Sequence, residues 1–144
     1  MSFFTYTGIT MRIFTWGEKL GRPECPYLRR WVLNLKIFSI RLHHWYNSDD
    51  HRAFHDHPWW FCTLVLRGGY TDVSPAGREV MRPGTLRCRT ATHRHTVEVN
   101  PGGCWTVMLT GPVQRTWGFW VRSGAKFMKT NKYFLKYGHH PCKE

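Results

Sequence analysis

The sequence predicts an all-β sandwich or barrel, and three features of the chain support that fold class. Short runs rich in β-branched and aromatic residues recur along the 144 residues. Turn-forming pairs such as Gly68-Gly69 and Pro83-Gly84 separate these runs. Hydrophobic residues make up 42% of the chain and aromatic residues 16%, which is enough to fill a core.

We predict strands at 11–16, 28–35, 36–46, 60–67, 69–73, 78–82, 85–90, 93–99, 104–110 and 115–121. Side chains alternate between the two faces of a strand. His93 and His95 therefore share one face of their strand, and Met108 and Thr110 share one face of theirs. An amphipathic helix is expected only at the C-terminal end.

Length and composition limit the domain organisation and the cellular location that we expect. We expect a single domain over residues 1–144, with a basic tail at about 122–144. The sequence contains no apolar run of bilayer-spanning length and no signal-peptide pattern, so we expect a cytoplasmic protein without a membrane partner. The five cysteines are scattered and odd in number, which favours reduced thiols over a disulfide framework.

The formal net charge of +12 raises the question of a nucleic acid or another polyanion as partner. The basic residues are spread along the chain, with the clearest concentration in the tail. We interpret them first as a solvated surface, and keep polyanion binding as the alternative. High salt should weaken a charge-driven complex, which distinguishes the two interpretations.

The stretch "SDDHRAFHDHPWW" at residues 48–60 concentrates histidines. On an extended strand, His55 and His57 project to the same face and could bind one ion, since imidazole is the commonest protein metal ligand. A third ligand is expected from a distant strand, and His95 is the candidate, with His93 as a substitute. The chemistry predicted here is one divalent metal held by three imidazoles.

Other polar residues near this motif have two interpretations each. Asp49 and Asp50 could orient a ligand imidazole from behind, or they could form an ordinary turn. Asp56 points away from its histidine neighbours on an ideal strand, which indicates a structural hydrogen-bonding role. Arg41 and His43 share a strand face and either contact an anionic substrate or lie on the barrel exterior.

The spacing of these residues resembles the cupin superfamily. In that family a His-x-His is followed by a Glu and a Gly, and a second motif has a turn and a further His. Here the segment "HDHPWWFCTLVLRGG" contains His55 and His57, and "RPGTLRCRTATHRH" contains Pro83-Gly84 and His95. The glutamate position falls on Phe61 or Cys62. The resemblance implies a jelly roll, the double-stranded β-helix, with a three-histidine metal site in its mouth.

A three-histidine cupin with cysteine near the glutamate position is similar to the thiol dioxygenases, of which cysteine dioxygenase is the best known. That resemblance rests on "HDH", Cys62 and "HTVEV" from His95. The crosslinking tyrosine of that family corresponds to Thr110, and its preceding histidine to Met108, so only the triad is carried over. We expect the substrate-facing wall to contain Cys62, Met108, Thr110 and Arg41.

A second resemblance covers almost the whole chain up to the tail. Small cupin-like proteins of phages and bacteria contain blocks similar to "PYL", "SDD", "HDHPW", "GGYT", "TGP" and "WGF", all of which occur here. The resemblance implies the cupin fold and a phage-like source, and hence the host cytoplasm as location. It implies nothing about substrate.

The leading functional hypothesis is a metal-dependent enzyme acting on a small molecule, of the mononuclear non-haem Fe(II) oxygenase type. Fe(II) is favoured, and Zn, Ni and Mn are the alternatives. The second hypothesis is a non-catalytic module that binds a nucleotide, nucleic acid or virion partner through its basic surface. A sugar-nucleotide epimerase-like cupin is a third. A homodimer is kept as a candidate assembly.

Overall fold

The computed structural model describes residues 3–6, 9–121 and 125–137, with side chains from residue 12 onward. Strands dominate, as the sequence predicts, and none of the helices in these residues is long and apolar enough to cross a membrane. The elements are β1 (Phe3–Tyr6), β2 (Ile9–Arg12), β3 (Phe14–Arg22), β4 (Cys25–Leu35), β5 (Phe38–Trp45), β6 (Ala53–His55), β7 (Phe61–Arg67), β8 (Tyr70–Ser74), β9 (Gly77–Met81), β10 (Leu86–Arg89), β11 (Thr96–Val99), β12 (Cys104–Thr110), β13 (Gly118–Val121), β14 (Lys126–Lys129) and α1 (Thr130–Tyr137).

The strands form one large and several small antiparallel sheets. The large sheet has the order β10-β7-β12-β5-β4-β3, and the others are β11-β8-β9, β14-β13-β6 and the hairpin β1-β2. The core lies between the large sheet and β11-β8-β9, where Val65 and Cys104 contact Tyr70, Met81 and Val97. All five are at most 6% exposed, so their burial against each other holds the two layers together.

Several predicted strands match the structure closely. Residues 104–110 form β12, in which Met108 and Thr110 share one face as the alternation predicts, and the structure shows that this face is the buried one. The strand predicted at 93–99 begins only at Thr96, and His95 instead forms an isolated two-way backbone bridge with His55. The run at 11–16 spans the end of β2 and the start of β3. The three-residue strand β6 is too short for any periodicity to reveal it.

The predicted basic tail is partly integrated into the fold. Residues 122–124 and 138–144 lie outside the described residues. The intervening segment forms β14, which pairs with β13, and α1, whose Tyr133 is 1% exposed and packs on Ala53 and Val121. Deleting residues 122–144 would therefore remove a core side chain, not only a set of surface charges.

The expectation that all cysteines are reduced thiols is wrong. The sequence favours reduced thiols, but Cys62 on β7 and Cys88 on β10 are joined by a disulfide. The two residues lie directly opposite each other in the antiparallel pair, which is why their side chains meet. This strand register could not be read from the scattered spacing of the cysteines in the sequence.

Candidate metal centre

The three predicted ligands converge where the end of β6 lies beside the start of β11. His55 ends β6, His57 follows two residues later, and His95 immediately precedes β11. Their ring centroids are 5.0 Å apart for His55 and His57, 4.6 Å for His55 and His95, and 5.0 Å for His57 and His95. Each ring presents one nitrogen to a set whose members all lie within 4.8 Å of one another.

Backbone hydrogen bonds hold the three histidine-containing segments together. His55 and His95 exchange N–H···O bonds of 2.8 and 3.0 Å, which brings two segments forty residues apart into register. The N–H of His57 donates to the carbonyl of Ala91 at 3.1 Å, and Arg115 donates to the carbonyls of both His57 and Ala91. The segment beyond β6 is therefore fixed to the segment that leads to His95.

Asp56 lies between the two ligand histidines and points away from them. Its carboxylate accepts hydrogen bonds from the backbone N–H of Gly118 at 2.9 Å and from Nε1 of Trp120 at 3.0 Å. It also pairs with Arg115 at 2.8 Å, and it is 1% exposed. These contacts agree with the structural role predicted for it. They tie the His-x-His segment to β13 and so position His55 and His57.

Burial keeps two of the three imidazoles in the neutral form that can bind a metal. Desolvation lowers the pKa of His55 to about 4, against a smaller opposing effect of Asp49. Desolvation also holds the pKa of His57 well below its usual range, and the neighbouring imidazoles lower it further. Both rings are therefore neutral at pH 7, with a lone pair available for coordination.

Asp72 on β8 supports His95 from behind. Its Oδ2 lies 2.7 Å from Nδ1 of His95, and its Oδ1 lies 3.1 Å from Nε2 of His93. Burial would raise the pKa of Asp72, but the hydrogen bonds from the two imidazoles outweigh it and hold the pKa below the usual range. The carboxylate fixes the His95 tautomer with Nε2 free, which is the arrangement common behind metal ligands. Asp72 is not among the site residues predicted from the sequence.

Asp49 and Asp50 have different roles. The buried Asp49 places Oδ2 3.5 Å from Nδ1 of His55, accepts a hydrogen bond from Tyr27, and accepts the N–H of Val97 at 2.8 Å. It is thus placed to orient His55. Asp50, expected beside it, instead binds Arg52 and the hydroxyl of Tyr133 at 2.8 Å. For Asp50 the structure therefore favours the turn over the role behind an imidazole: its Oδ1 accepts the backbone N–H of Arg52 at 2.9 Å, and its contact with Tyr133 attaches α1 to the loop.

The donor set fits a divalent metal ion. Nδ1 of His57 and Nε2 of His95 are buried and, among the described residues, have no hydrogen-bond partner. Buried polar atoms are rarely left unpaired, because desolvation without a partner is costly. An ion at the triad would satisfy such atoms. A second group, Asp72 with His93 and His95, shares a residue with the triad and is the competing arrangement.

The inner face of the large sheet contains three of the four predicted wall residues. Arg41 on β5 is paired in register with Met108 on β12, and Ser39 with Thr110. Met108 and Thr110 are buried, and all four side chains lie on the inner face. The prediction for the fourth wall residue, Cys62, is wrong. It lies on the opposite face of β7 from the buried Phe61 and Thr63, where its sulfur is bonded to Cys88.

Arg41 lines a small cleft at the start of β5 and the end of β12. Its lining includes Ser39, Trp59, Thr110 and Asn34. Arg41 donates from Nε to Oγ of Ser39 at 3.0 Å and lies 4.7 Å from the centroid of the Trp59 ring. Trp59 in turn stacks on His57 with a centroid distance of 5.2 Å. Trp59 therefore connects the cleft to the triad.

Replacing Asp72 by asparagine should weaken metal binding about 10–100-fold, the usual cost of losing a carboxylate behind a ligand histidine. The reason is that a neutral amide would no longer hold His95 in a single tautomer by a charged hydrogen bond. Competition with a chromophoric chelator measures the affinity. The matched control is Asp50→Asn, which removes a carboxylate that binds Arg52 and Tyr133. Equal affinities for both variants would contradict the role given to Asp72.

Comparisons with known proteins identify the fold. No protein-family model and no curated protein sequence matches the chain. The polyketide cyclase RemF from Streptomyces resistomycificus matches with a TM-score of 0.58 and 15% identity, over 83% of this chain and 87% of that one. An uncharacterised protein with a double-stranded β-helix domain from Klebsiella pneumoniae matches with a TM-score of 0.54 and 18% identity, over 68% and 88%.

A third match is KdgF from a Halomonas species, with a TM-score of 0.53 and 11% identity, over 66% of this chain and 87% of that one. At such identities the likeness concerns the fold. The chain has the double-stranded β-helix fold of the cupins.

Proposed function

We propose that this protein is a metal-dependent enzyme that acts on a small anionic molecule, with His55, His57 and His95 as the metal ligands. The observation that carries the proposal is the convergence of three imidazoles, each with one nitrogen within 4.8 Å of the other two, and two of the rings have buried nitrogens without a partner among the described residues. Solved structures of the same fold include an enzyme, the polyketide cyclase named above. We favour Fe(II) and an oxygenase reaction, with Zn, Ni or Mn as alternative ions.

Three neutral protein ligands leave open coordination positions on a divalent ion, so a bound ion would supply Lewis acidity or, as Fe(II), the capacity to activate oxygen. The remaining chemistry belongs to the residues around it. Asp72 and Asp49 hold the imidazole rings of His95 and His55 in position. Asp56 and Arg115 fix the segment that contains His57.

Arg41 determines the charge of the expected substrate. Burial, with a smaller contribution from the nearby Arg30, lowers its pKa to about 10, so the guanidinium stays charged at pH 7 in an unfavourable environment. In the part of the chain that the structure describes, no carboxylate pairs with Arg41. A partly buried cation without a counter-ion is unfavourable, and a substrate carboxylate or phosphate would relieve that cost.

Further buried polar groups lie on the inner face of the large sheet, on β5 and β7. Both ring nitrogens of His43 and the hydroxyl of Thr63 are buried without a partner among the described residues. Burial, with Arg41 and Arg30 adding to the effect, lowers the pKa of His43 to about 3, so its ring is neutral. We propose that these atoms, together with Arg41 and Thr110, bind the polar groups of the substrate.

The test uses protein reconstituted anaerobically with Fe(II) and supplied with a panel of small carboxylic acids and their amides. We expect oxygen consumption with one or more acids, little with the amides, and none from the metal-free protein. Arg41→Gln should raise KM about 10–100-fold, the value of a charged hydrogen bond of roughly 1.5–3 kcal/mol, at unchanged metal content.

Carboxylate binding can also be followed without turnover, by the visible spectrum of the Co(II)-substituted protein. A metal-loaded protein whose spectrum no carboxylate changes, and which consumes no oxygen, would contradict the proposal. Retention of a polyanion that survives chelation and fails in high salt would then favour the binding-module hypothesis.

A further inference from the structure

The outward side of the large sheet combines aromatic rings with cations where β3, β4, β5, β12 and β7 lie side by side. One row of register partners crosses these five strands and consists of Lys19, Arg29, His44, Trp105 and Arg67. Residues directly opposite each other on neighbouring strands share a face. This face is the outward one, because the adjacent residues Thr106 and His43 point inward and are buried. The row therefore has cations towards both ends and aromatic rings between them.

The aromatic rings of this region form a continuous stack. The ring of Trp105 lies nearly parallel to that of His44, with centroids 4.1 Å apart, and to that of Trp31, with centroids 5.8 Å apart. The guanidinium of Arg29 lies 5.0 Å from the centroid of the Trp31 ring and donates a hydrogen bond to the carbonyl of Gly17. These contacts hold the rings and the cation against each other, so the surface is preorganised for a ligand.

Trp16 extends this surface onto β3. It is 75% exposed, although large aromatic residues are usually mostly buried. Its ring centroid lies 5.7 Å from that of Phe14, which is registered with the outward Leu33 on β4. A ring so open to solvent is accessible to a planar ligand. We call Trp16, Trp31, His44 and Trp105, together with Lys19, Arg29 and Arg67, the aromatic-cationic face.

No carboxylate of the described residues neutralises the cations of this face. Lys19, Arg29 and Arg67 form no ion pair within that part of the chain. The carboxylate next to Lys19 in sequence, Glu18, is registered with Arg30 and pairs with it instead. Because the chain also has a formal net charge of +12, the partner that fits this face is a polyanion.

Single-stranded nucleic acid has the chemistry that this face can recognise. Its bases stack on exposed aromatic rings and its phosphates contact Lys and Arg, which is how sheet surfaces bind unpaired strands. A duplex hides the faces of its bases, and an anionic membrane surface offers no planar rings. Four strand spacings of about 4.8 Å separate Lys19 from Arg67, so the row is roughly 19 Å long. This length allows contacts with several successive nucleotides.

We propose that the aromatic-cationic face binds single-stranded nucleic acid. A base stacks on Trp16, and the three cations of the face contact phosphates. The proposal does not depend on the metal centre, because the face lies on the opposite side of the large sheet from the inner residue Arg41. Binding should therefore be the same in metal-loaded and metal-free protein.

The test measures the affinity of the full chain for a labelled single-stranded DNA of about 12 nucleotides, within the ~4–16 nucleotides that one OB-fold binds. Fluorescence anisotropy follows binding in a buffer that contains a chelator. Trp16→Leu should weaken binding about 5–100-fold, because it keeps an apolar side chain and removes the ring on which a base stacks. Trp16→Phe keeps a ring and should stay close to the wild-type affinity. Both variants should fold, since Trp16 is exposed, and circular dichroism checks this. Equal losses in the two variants would overturn the proposal.

The contribution of charge has its own pair of variants. Lys19→Gln should lower the slope of log Kd against log salt concentration by about 0.7, the value of one phosphate contact with a single strand. The matched control is Lys132→Gln, which removes an exposed lysine on α1, outside the large sheet, and should leave the slope unchanged. Equal effects of the two substitutions would mean a general attraction to the cationic surface and would overturn the proposal.

Three outcomes with the wild type would also overturn it. The first is a DNA duplex that binds as tightly as the single strand. The second is displacement of the oligonucleotide by vesicles of anionic phospholipid. The third is binding that requires a metal ion, which would place the oligonucleotide at the metal centre. Failure of the proposed enzymatic activity, in contrast, would leave the predicted affinity for the single strand unchanged.

Discussion

Alanine at any one of His55, His57 and His95 is expected to reduce bound divalent metal from about one equivalent per chain to a small fraction of that. Two imidazoles cannot hold a labile ion against water and buffer, whereas three form the minimal protein set of a catalytic site. The barrel itself should remain folded, because its stability comes from the apolar layer around Val65 and Met81. Elemental analysis after reconstitution measures the metal, and circular dichroism checks the fold.

Two further variants make this test specific to the triad. His51→Ala removes an exposed histidine from the same loop and should leave metal binding unchanged. His93→Ala should retain most of the metal, since His93 contacts Asp72 but is not one of the three converging rings. If His93→Ala loses the metal while His55→Ala keeps it, the ion occupies the group of Asp72, His93 and His95 instead.

Asp56→Ala is expected to lower the free energy of unfolding by about 3–5 kcal/mol, a large part of the roughly 5–15 kcal/mol typical of a domain. The substitution removes the acceptor for Gly118, Trp120 and Arg115 in a site that is 1% exposed. The buried donors would lose their partner, and the charge of Arg115 its neutralisation. Urea unfolding of metal-free protein measures the effect without contributions from metal binding.

Glu79→Ala is the matched control for Asp56→Ala. Glu79 also pairs with arginines, Arg87 and Arg89, but its side chain is 36% exposed, so its loss should cost at most about 1 kcal/mol. Asp56→Asn should fall between the two, because it keeps an acceptor oxygen and loses the charge. If Asp56→Ala is no less stable than Glu79→Ala, Asp56 does not hold the His-x-His segment on β13.

The sequence was sufficient to predict the fold class and the positions that form the triad. Period-two alternation predicted that Met108 and Thr110 share a face, and the structure shows that this is the buried side of the central strand β12. The strand β6 and the register between His55 and His95 were not predictable, since three residues contain no period and the bridge joins segments forty residues apart.

Two residues show where sequence reasoning failed at the site. Asp72 was missed: on the strand predicted at 69–73 it shares a face with Tyr70, and only the structure shows that this face is the buried one. Cys62 was assigned to the wall by resemblance, but the phase of β7 directs it outward to Cys88. Disulfides are typical of oxidising compartments, and the cytoplasmic location remains a prediction.

The most direct measurement for the proposed metal centre is the metal content of the purified wild-type protein after anaerobic reconstitution with Fe, Mn, Ni and Zn salts and removal of excess ion. The convergence of His55, His57 and His95, with Asp72 behind His95, predicts about one tightly held divalent ion per folded chain. A well-folded wild type that retains none of the four ions at stoichiometric level would contradict it.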